Sequence, residues 1–496
     1  MAVRAVLGVD IGTSSSKGVL VDLDGSVLRS AVREHEVQRP APGHVEMDAA
    51  VWWQEFVSLA RELAGPDVEI AAVGVSGMGP CVLVTDAAGT PLRPAVLYGV
   101  DTRASAQIVE LEQRLGTAAI AERGGASLSS QAAGPKLAWI AENEPAVAAA
   151  ATRLFMPASW LAFRLTGAYV LDHHSASQCW PLYDRAAGTW YEPWWAEICP
   201  WLEAPELRWA GDRAGTVGTD AAAETGLPVG IPVITGTIDA WSEAVSVDGV
   251  HPGDLFLMYG TTMFLIDTVP EPVTSPTLWG TAGVEPGTHS LAGGMATSGA
   301  VTGWLRDLFG RPDYATLVAE AADSPPGASG LLMLPYFAGE RTPVQDPDAR
   351  GAILGLTIEH TRGDLYRAAL EATAFAVRHN IETMRRDGGD IRRIIAAGGG
   401  TQSALWPQIV SDVTGLAQVL PRVTIGASYG AAYLAARTVA DASIARWNPP
   451  QTTIRPDPGR AAGYDELYGL YLGLYPATRD AAHRLAGLQR TTRERR

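Results

Sequence analysis

An α/β protein made of two similar halves folded around a cleft is the architecture the sequence predicts, and three observations carry that prediction. The chain has 496 residues, too many for one small module at roughly 100 to 200 residues per domain. Short apolar strand candidates alternate with stretches of helical spacing. The same local pattern, a strand, a Gly-Thr-Ser or Gly-Thr-Thr turn and a second strand, begins near Val6 and again near Leu255.

The elements follow in order. Val6 to Val9 is a short apolar run, followed by the turn Gly12-Thr13-Ser14-Ser15-Ser16 and the strand candidate Lys17 to Asp22. Asp24-Gly25 makes the next turn, and Ser26 to Val37 leans to β. Glu46 to Ala64 has helical spacing, and Ile70 to Val75 reads as a buried strand. Helical and strand patterns then alternate up to Ile231 to Thr235. A polar stretch with Gly and Pro, Asp248 to Asp254, separates the expected domains 1–247 and 248–496. Beyond it come the strand Leu255 to Tyr259, the turn Gly260-Thr261-Thr262 and the strand Met263 to Asp267. Ile394 to Thr401 reads as a strand entering a glycine loop, with a helix expected from Ser403 and another through Tyr429 to Ala436.

Composition narrows the function classes. A net charge of -16 disfavours nucleic acid or an anionic membrane as partner, since either needs a basic face. The basic stretch Arg490 to Arg496 reads as a solvated tail. Cys81, Cys179 and Cys199 form neither a disulfide framework nor a C-x-x-C pair, which fits a reducing, cytoplasmic setting. No apolar run approaches the ~18 residues of a membrane span. His173-His174, read as a strand, would point to opposite faces and chelate nothing. No nucleophile elbow is present, so a hydrolase has no support.

The chemistry-bearing segments are short. Asp10-x-Gly12-Thr13-Ser14-Ser15-x-Lys17 places a carboxylate at a strand end, then backbone and hydroxyl donors, then a cation. Such a turn can cradle phosphate, and the carboxylate suits magnesium, although an ordinary hairpin uses the same residues. Gly260-Thr261-Thr262 repeats the pattern more weakly. Gly398-Gly399-Gly400-Thr401-x-Ser403 would let a flat ligand approach the backbone, and it is neither a Rossmann fingerprint nor a P-loop. Asp239, after Gly236-Thr237-Ile238, could accept a proton from an attacking hydroxyl, or could equally serve a turn or helix cap. Six tryptophans lie between Trp180 and Trp209, a set used for packing and subunit contacts as readily as for stacking on a sugar, and a homodimer stays open.

Taken together, these segments resemble the FGGY carbohydrate kinases of the actin, hexokinase and heat-shock-chaperone superfamily over nearly the whole chain. In order they are Asp10 to Lys17, Asp101-Thr102-Arg103, Gly134 to Ile140, Leu165-Thr166-Gly167 with Asp172, Gly236 to Asp239, and Gly260 to Thr262. Ser298-Gly299 before Trp304-Leu305-Arg306, Gly339 to Pro343, Gly398 to Gly400, and Tyr429 to Ala432 complete the series.

The resemblance implies two ribonuclease-H-like domains facing across a nucleotide cleft, with ATP, Mg²⁺ and a small sugar or polyol as ligands. It implies Asp239 as general base, and Asp10 with Gly12, Thr13, Ser14 and Lys17 toward phosphate. Asp10, through water, and Asp239 are the candidate metal residues. It further implies Gly260, Thr261, Thr262 and Gly299 as second phosphate contacts, and Gly399, Gly400 and Ser403 toward adenosine, with Trp406 nearby.

The substrate loop departs from the pattern. Xylulokinases usually read Ser-Gly-Gln-Met-His-Gly, whereas this chain reads Ser76-Gly77-Met78-Gly79-Pro80-Cys81. Pro80 offers no donor where their histidine stands. Gly79-Pro80 also cannot replace the Arg-Glu pair of glycerol kinases. Met78, Gly79, Pro80, Asp101, Arg103, Gln131 and Asp239 are the substrate candidates. A pentulose of xylulose type is the expected substrate, with D-ribulose or a tetritol or pentitol as alternatives in the same family. A non-catalytic sugar- or nucleotide-sensing pseudokinase is the alternative of another class.

Overall fold

The computed structural model describes residues 2–494 and divides into two units. Unit 1 runs to His251 and also takes in Thr268–Ser290 and Val423–Pro449. Unit 2 comprises Pro252–Asp267, Leu291–Arg422 and the chain from Pro450 onward. The chain leaves unit 1 after His251 and returns to it twice, at Thr268 and at Val423.

The sheet of unit 1 contains β1 (Val3–Ile11), β2 (Ser15–Asp22), β3 (Val27–Glu34), β4 (Val68–Gly77), β5 (Arg213–Thr216), β6 (Pro232–Ile234) and β7 (Thr237–Ile238). Its order is β5-β6-β4-β1-β2-β3, with β7 paired to β4. β1, β6 and β7 run parallel to β4, while β2 and β3 continue from β1 as antiparallel hairpins. Helices cover the faces. Ala49–Leu63 buries Trp52, Phe56 and Leu59 at helical spacing and starts at Asp48, whose side chain accepts from the Ala50 amide at 2.9 Å.

The return of 423–449 has a steric cause. The Ala427–Ala436 helix is buried at every position. A Cβ on Gly8 of β1 would stand 2.0 Å from the Ser428 carbonyl, and one on Gly74 of β4 2.0 Å from that of Ala431. Small residues on both sides therefore bring helix and sheet backbones into direct contact, and a larger side chain at Gly8 or Gly74 would separate them.

Unit 2 repeats the scheme with β8 (Asp254–Tyr259), β9 (Met263–Val269), β10 (His289–Met295), β11 (Arg393–Ala397), β12 (Gln418–Pro421) and β13 (Pro450–Ile454), in the order β10-β9-β8-β11-β12-β13. β8 pairs antiparallel with β9 and parallel with β11. The 26-residue helix Arg362–Asp387 packs between the Tyr314–Asp323 and Leu405–Thr414 helices and opens with a capping box between Thr361 and Asp364.

Two local expectations are corrected. His173 and His174 open a helix, His173–Ser177, instead of lying on a strand, because Asp172 caps it by accepting from the Ser175 amide. The helix expected at Ser403 starts at Leu405, after a 3-10 turn over Gly399–Gln402. The terminal helix is Ala461–Glu494, and the end of the basic stretch, 495–496, lies outside the described residues. Cys81, Cys179 and Cys199 are free and buried. No helix among the described residues is long and apolar enough to cross a membrane.

Candidate active site

Register brings the first-half residues together. Asp10 pairs with Lys17 on β2 and with Ser76 on β4, while Ser76 pairs with Thr237 on β7. The ends of four adjacent strands thus meet at one level, at the C-terminal edge of the parallel strands where α/β sheets hold their ligands. Ser76 donates its hydroxyl to Asp10 Oδ1 at 2.9 Å. Asp239 begins the Asp239–Ser246 helix directly after β7, and its Oδ1 accepts from the Ala240 amide at 2.8 Å. Among the described residues the carboxyl of Asp239 has no other hydrogen-bond partner. Lys17 Nζ donates to the Ile425 carbonyl at 3.2 Å.

A third carboxylate, which sequence reasoning missed, joins them. Glu243 lies one helical turn beyond Asp239 and stands against Gly426, where an added Cβ would be 3.7 Å from the Glu243 carboxyl. The i, i+4 spacing from Asp239 was its available signal. Burial raises Asp10 well above the ordinary carboxylate range, Asp239 and Glu243 add to this, and Ser76 and Lys17 oppose it. Burial likewise raises Asp239 against the Ala240 hydrogen bond. Burial together with Asp239 pushes Glu243 up to about 7 against Lys17. Asp10 and Glu243 both feel the Lys17 ammonium, while burial holds all three acids above their ordinary values.

The turn between β1 and β2 is tight: the Gly12 amide donates to the Ser15 carbonyl at 3.0 Å. Thr13 Oγ1 and the Tyr98 hydroxyl are 2.8 Å apart, and Ser14 is exposed. Behind Tyr98, the Gly99 amide donates to Gln131 Oε1 at 2.9 Å, and Lys136 Nζ, fully buried, donates to the Ser130 carbonyl at 2.7 Å. Met78 and Pro80 are buried, the Met78 amide donates to the Ile11 carbonyl at 2.7 Å, and Gly79 lies against Ile238, next to Asp239.

Asp101 and Arg103 are placed differently from the rest. Both are buried and turned onto each other, with Asp101 Oδ2 also accepting from the Val45 amide at 2.6 Å and Arg103 pairing with Glu46 at 2.7 Å. Burial would raise Asp101, but the Arg103 and Val45 hydrogen bonds more than offset it and hold it below its ordinary value. Both carboxylate oxygens of Asp101 are committed within the fold.

In unit 2, β8 and β11 end side by side, so the Gly260-Thr261-Thr262 turn and the Gly398 loop are neighbours. Gly398 has φ +99°, and a Cβ there would meet the Tyr259 carbonyl at 2.5 Å. Gly399 is open on its Cβ side, and Gly400 faces Tyr259 and Trp406. Trp406 is a packing residue, edge-on to Tyr259 with Nε1 donating to Thr373 Oγ1 at 2.9 Å. Ser403 Oγ accepts from the Leu405 amide at 3.2 Å. The Gly299 amide donates to the Gly260 carbonyl at 3.1 Å, and the Ser298 and Ala300 amides to that of Thr261. Gly299 thereby fixes the Gly260 turn, and its own N–H is already engaged.

Comparison with known proteins decides the family. The N-terminal domain of the FGGY family of carbohydrate kinases matches residues 5–246, and the C-terminal domain matches residues 255–439. The chain belongs to the FGGY carbohydrate kinases. Its fold is the two-domain α/β fold of that family, and its activity class is ATP-dependent phosphoryl transfer to a carbohydrate. This FGGY kinase is similar to the crystal structure of xylulose kinase from Rhodospirillum rubrum, with a TM-score of 0.90 and 34% identity, covering 97% of this chain and 100% of that one. It is 28% identical over 501 residues to the xylulose kinase of Lactococcus lactis, across 97% of this chain and 98% of the other. It is 32% identical over 459 residues to the glycerol kinase of Nocardia farcinica, across 88% of this chain and 90% of the other.

Proposed function

We propose that this FGGY kinase phosphorylates a hydroxyl of a small ketose, a pentulose of xylulose type, with Asp239 as general base. The observation that carries the reading is the Asp239 carboxyl: it follows β7 at the start of a helix, keeps one oxygen free of protein partners among the described residues, and lies close enough to Asp10 to raise it. A raised, desolvated carboxylate so placed can take the proton of the substrate hydroxyl as it attacks the terminal phosphoryl group. Gly79, against Ile238, and the Thr13–Tyr98 and Gly99–Gln131 contacts form the neighbouring surface for the sugar. Asp101 and Arg103 hold that wall in place. The turns at Gly12 to Ser14 and at Gly260 to Thr262 serve the phosphates, and Gly399 to Ser403 the adenosine.

The donor chemistry fits magnesium. Among the described residues no group of three His, Cys, Asp or Glu could by itself hold a metal ion. Mg²⁺ keeps several waters and takes few protein carboxylates, so Asp10, with Glu243 and Asp239 near it, suits a hydrated ion completed by nucleotide oxygens. When bound, the ion would neutralise charge on the phosphates. The free buried thiols fit a reducing, cytoplasmic setting.

The pentulose assignment draws on coverage, since the xylulose kinase relatives match almost the whole chain, and on Gly79-Pro80, which offers no charged pair for glycerol. A polyol is the second reading, favoured by the identity to glycerol kinases. ADP release measured over pentuloses, tetritols, pentitols and glycerol tests it: greatest kcat/KM on a pentulose is expected, and greatest kcat/KM on a polyol would overturn the substrate assignment.

A further inference from the structure

The Gly339 to Pro343 segment has no role in the chemistry described above, yet it captures the end of β10 residue by residue. Thr342 Oγ1 accepts from the Gly294 amide at 2.7 Å, Arg341 Nη2 donates to the Met295 carbonyl at 3.1 Å, and Glu340 Oε1 accepts from the Ala296 amide at 2.8 Å. Glu340 Oε1 also accepts from the Arg341 amide at 2.7 Å. Its backbone is locked by an exchange with Asp346, N to O at 2.8 Å and back at 2.9 Å. Directly beyond Ala296 come Ser298 and Gly299, whose amides donate to Thr261 and Gly260. A short path therefore links Glu340 to the turn of unit 2 expected to meet phosphate: its Oε1 holds the Ala296 amide, and the covalent step through Thr297 leads to the Ser298 and Gly299 amides.

Glu340 is 5% exposed, and its Oε2 is buried without a partner. A buried carboxyl left half-satisfied is costly.

We propose that Glu340 is a positioning residue for nucleotide binding: by holding Ala296 it sets the Ser298-Gly299 turn, which in turn places Gly260 and Thr261 for the phosphates. This rests on the reading of Gly260 to Thr262 and Gly299 as a phosphate site.

The test is the affinity of the full chain for a non-hydrolysable ATP analogue, with Mg²⁺, in Glu340→Ala, Glu340→Gln and Gly299→Ala, beside KM for ATP and for the sugar. Glu340→Ala is expected to weaken the analogue and raise KM for ATP by tenfold or more, leaving KM for the sugar within twofold. Glu340→Gln, which retains an accepting oxygen, should stay within about threefold of wild type. A folded Glu340→Ala within twofold for the analogue overturns the proposal, as does equal weakening of both KM values. Hydrogen exchange on the wild type gives a readout that needs no variant. The Ala296 amide should gain at least tenfold protection when the analogue binds, and unchanged protection contradicts the role. In Gly299→Ala the new Cβ would meet the Gly260 carbonyl at 2.6 Å. If that variant binds the analogue normally, the phosphate-site reading fails; if it binds poorly while Glu340→Ala binds well, only the Glu340 inference fails.

Discussion

Thr237 donates its hydroxyl to the Asp172 carboxylate at 2.7 Å, and both side chains are buried. The bond ties the two-residue strand that delivers Asp239 to the cap of the His173–Ser177 helix, across 65 residues of sequence. His174 in that helix packs its ring 3.8 Å from Trp241, two residues past Asp239. The proposed base is therefore held from both its N-terminal and its C-terminal side.

Thr237→Val tests this support. It removes the donor and leaves a buried carboxylate oxygen short of a partner, a loss of about 1–3 kcal/mol. Thermal unfolding should show the destabilisation, and kcat should fall about tenfold or more with KM for ATP little changed. Wild-type kcat would mean that β7 places Asp239 unaided.

Gly430→Ala should destabilise the protein although it lies inside a helix, where the exchange ordinarily gains about 1 kcal/mol. A Cβ there would stand 1.8 Å from the Ser242 carbonyl, pushing apart the Ala427–Ala436 and Asp239–Ser246 helices. A lowered denaturation midpoint is expected, together with reduced turnover.

Asp267 should make stability depend on pH. Both its oxygens are buried without partners, and burial, with Asp390 adding and Arg385 opposing, pushes it up to about 7. Its value in the folded chain lies above the ordinary 3.8, so the folded state binds the proton more tightly. The stability it contributes is present below about pH 4 and is lost as pH rises through about 7. Asp267→Asn should therefore raise the urea midpoint relative to wild type more at pH 8 than at pH 5. An equal change at both values would contradict this.

Glu243→Gln removes a carboxyl that feels both Asp239 and the Lys17 ammonium, without changing shape. The Mg²⁺ concentration for half-maximal turnover should rise several-fold while the thermal midpoint holds. An unaltered Mg²⁺ requirement would separate Glu243 from the cation.

What could be read from the sequence was what is local. The Asp10 to Lys17 hairpin, the Gly260 turn and the Gly398 loop are contiguous, and their turn chemistry declares itself. Glu243 was within reach from its spacing to Asp239, but a lone acid on a helix carries no label. The Thr237–Asp172 bond and the insertion of Ala427–Ala436 against Gly8 and Gly74 depend on tertiary approach between distant segments, for which periodicity has no signal. Asp101 and Arg103 stood among the polar substrate candidates left once Gly79-Pro80 departed from the family pattern, whereas here they satisfy each other.

The central claim, that Asp239 is the base, is tested most directly by Asp239→Asn. Sugar-dependent ADP formation should fall by about 10² to 10⁴, with affinity for the ATP analogue kept within a few-fold. Turnover within a few-fold of wild type would contradict the account.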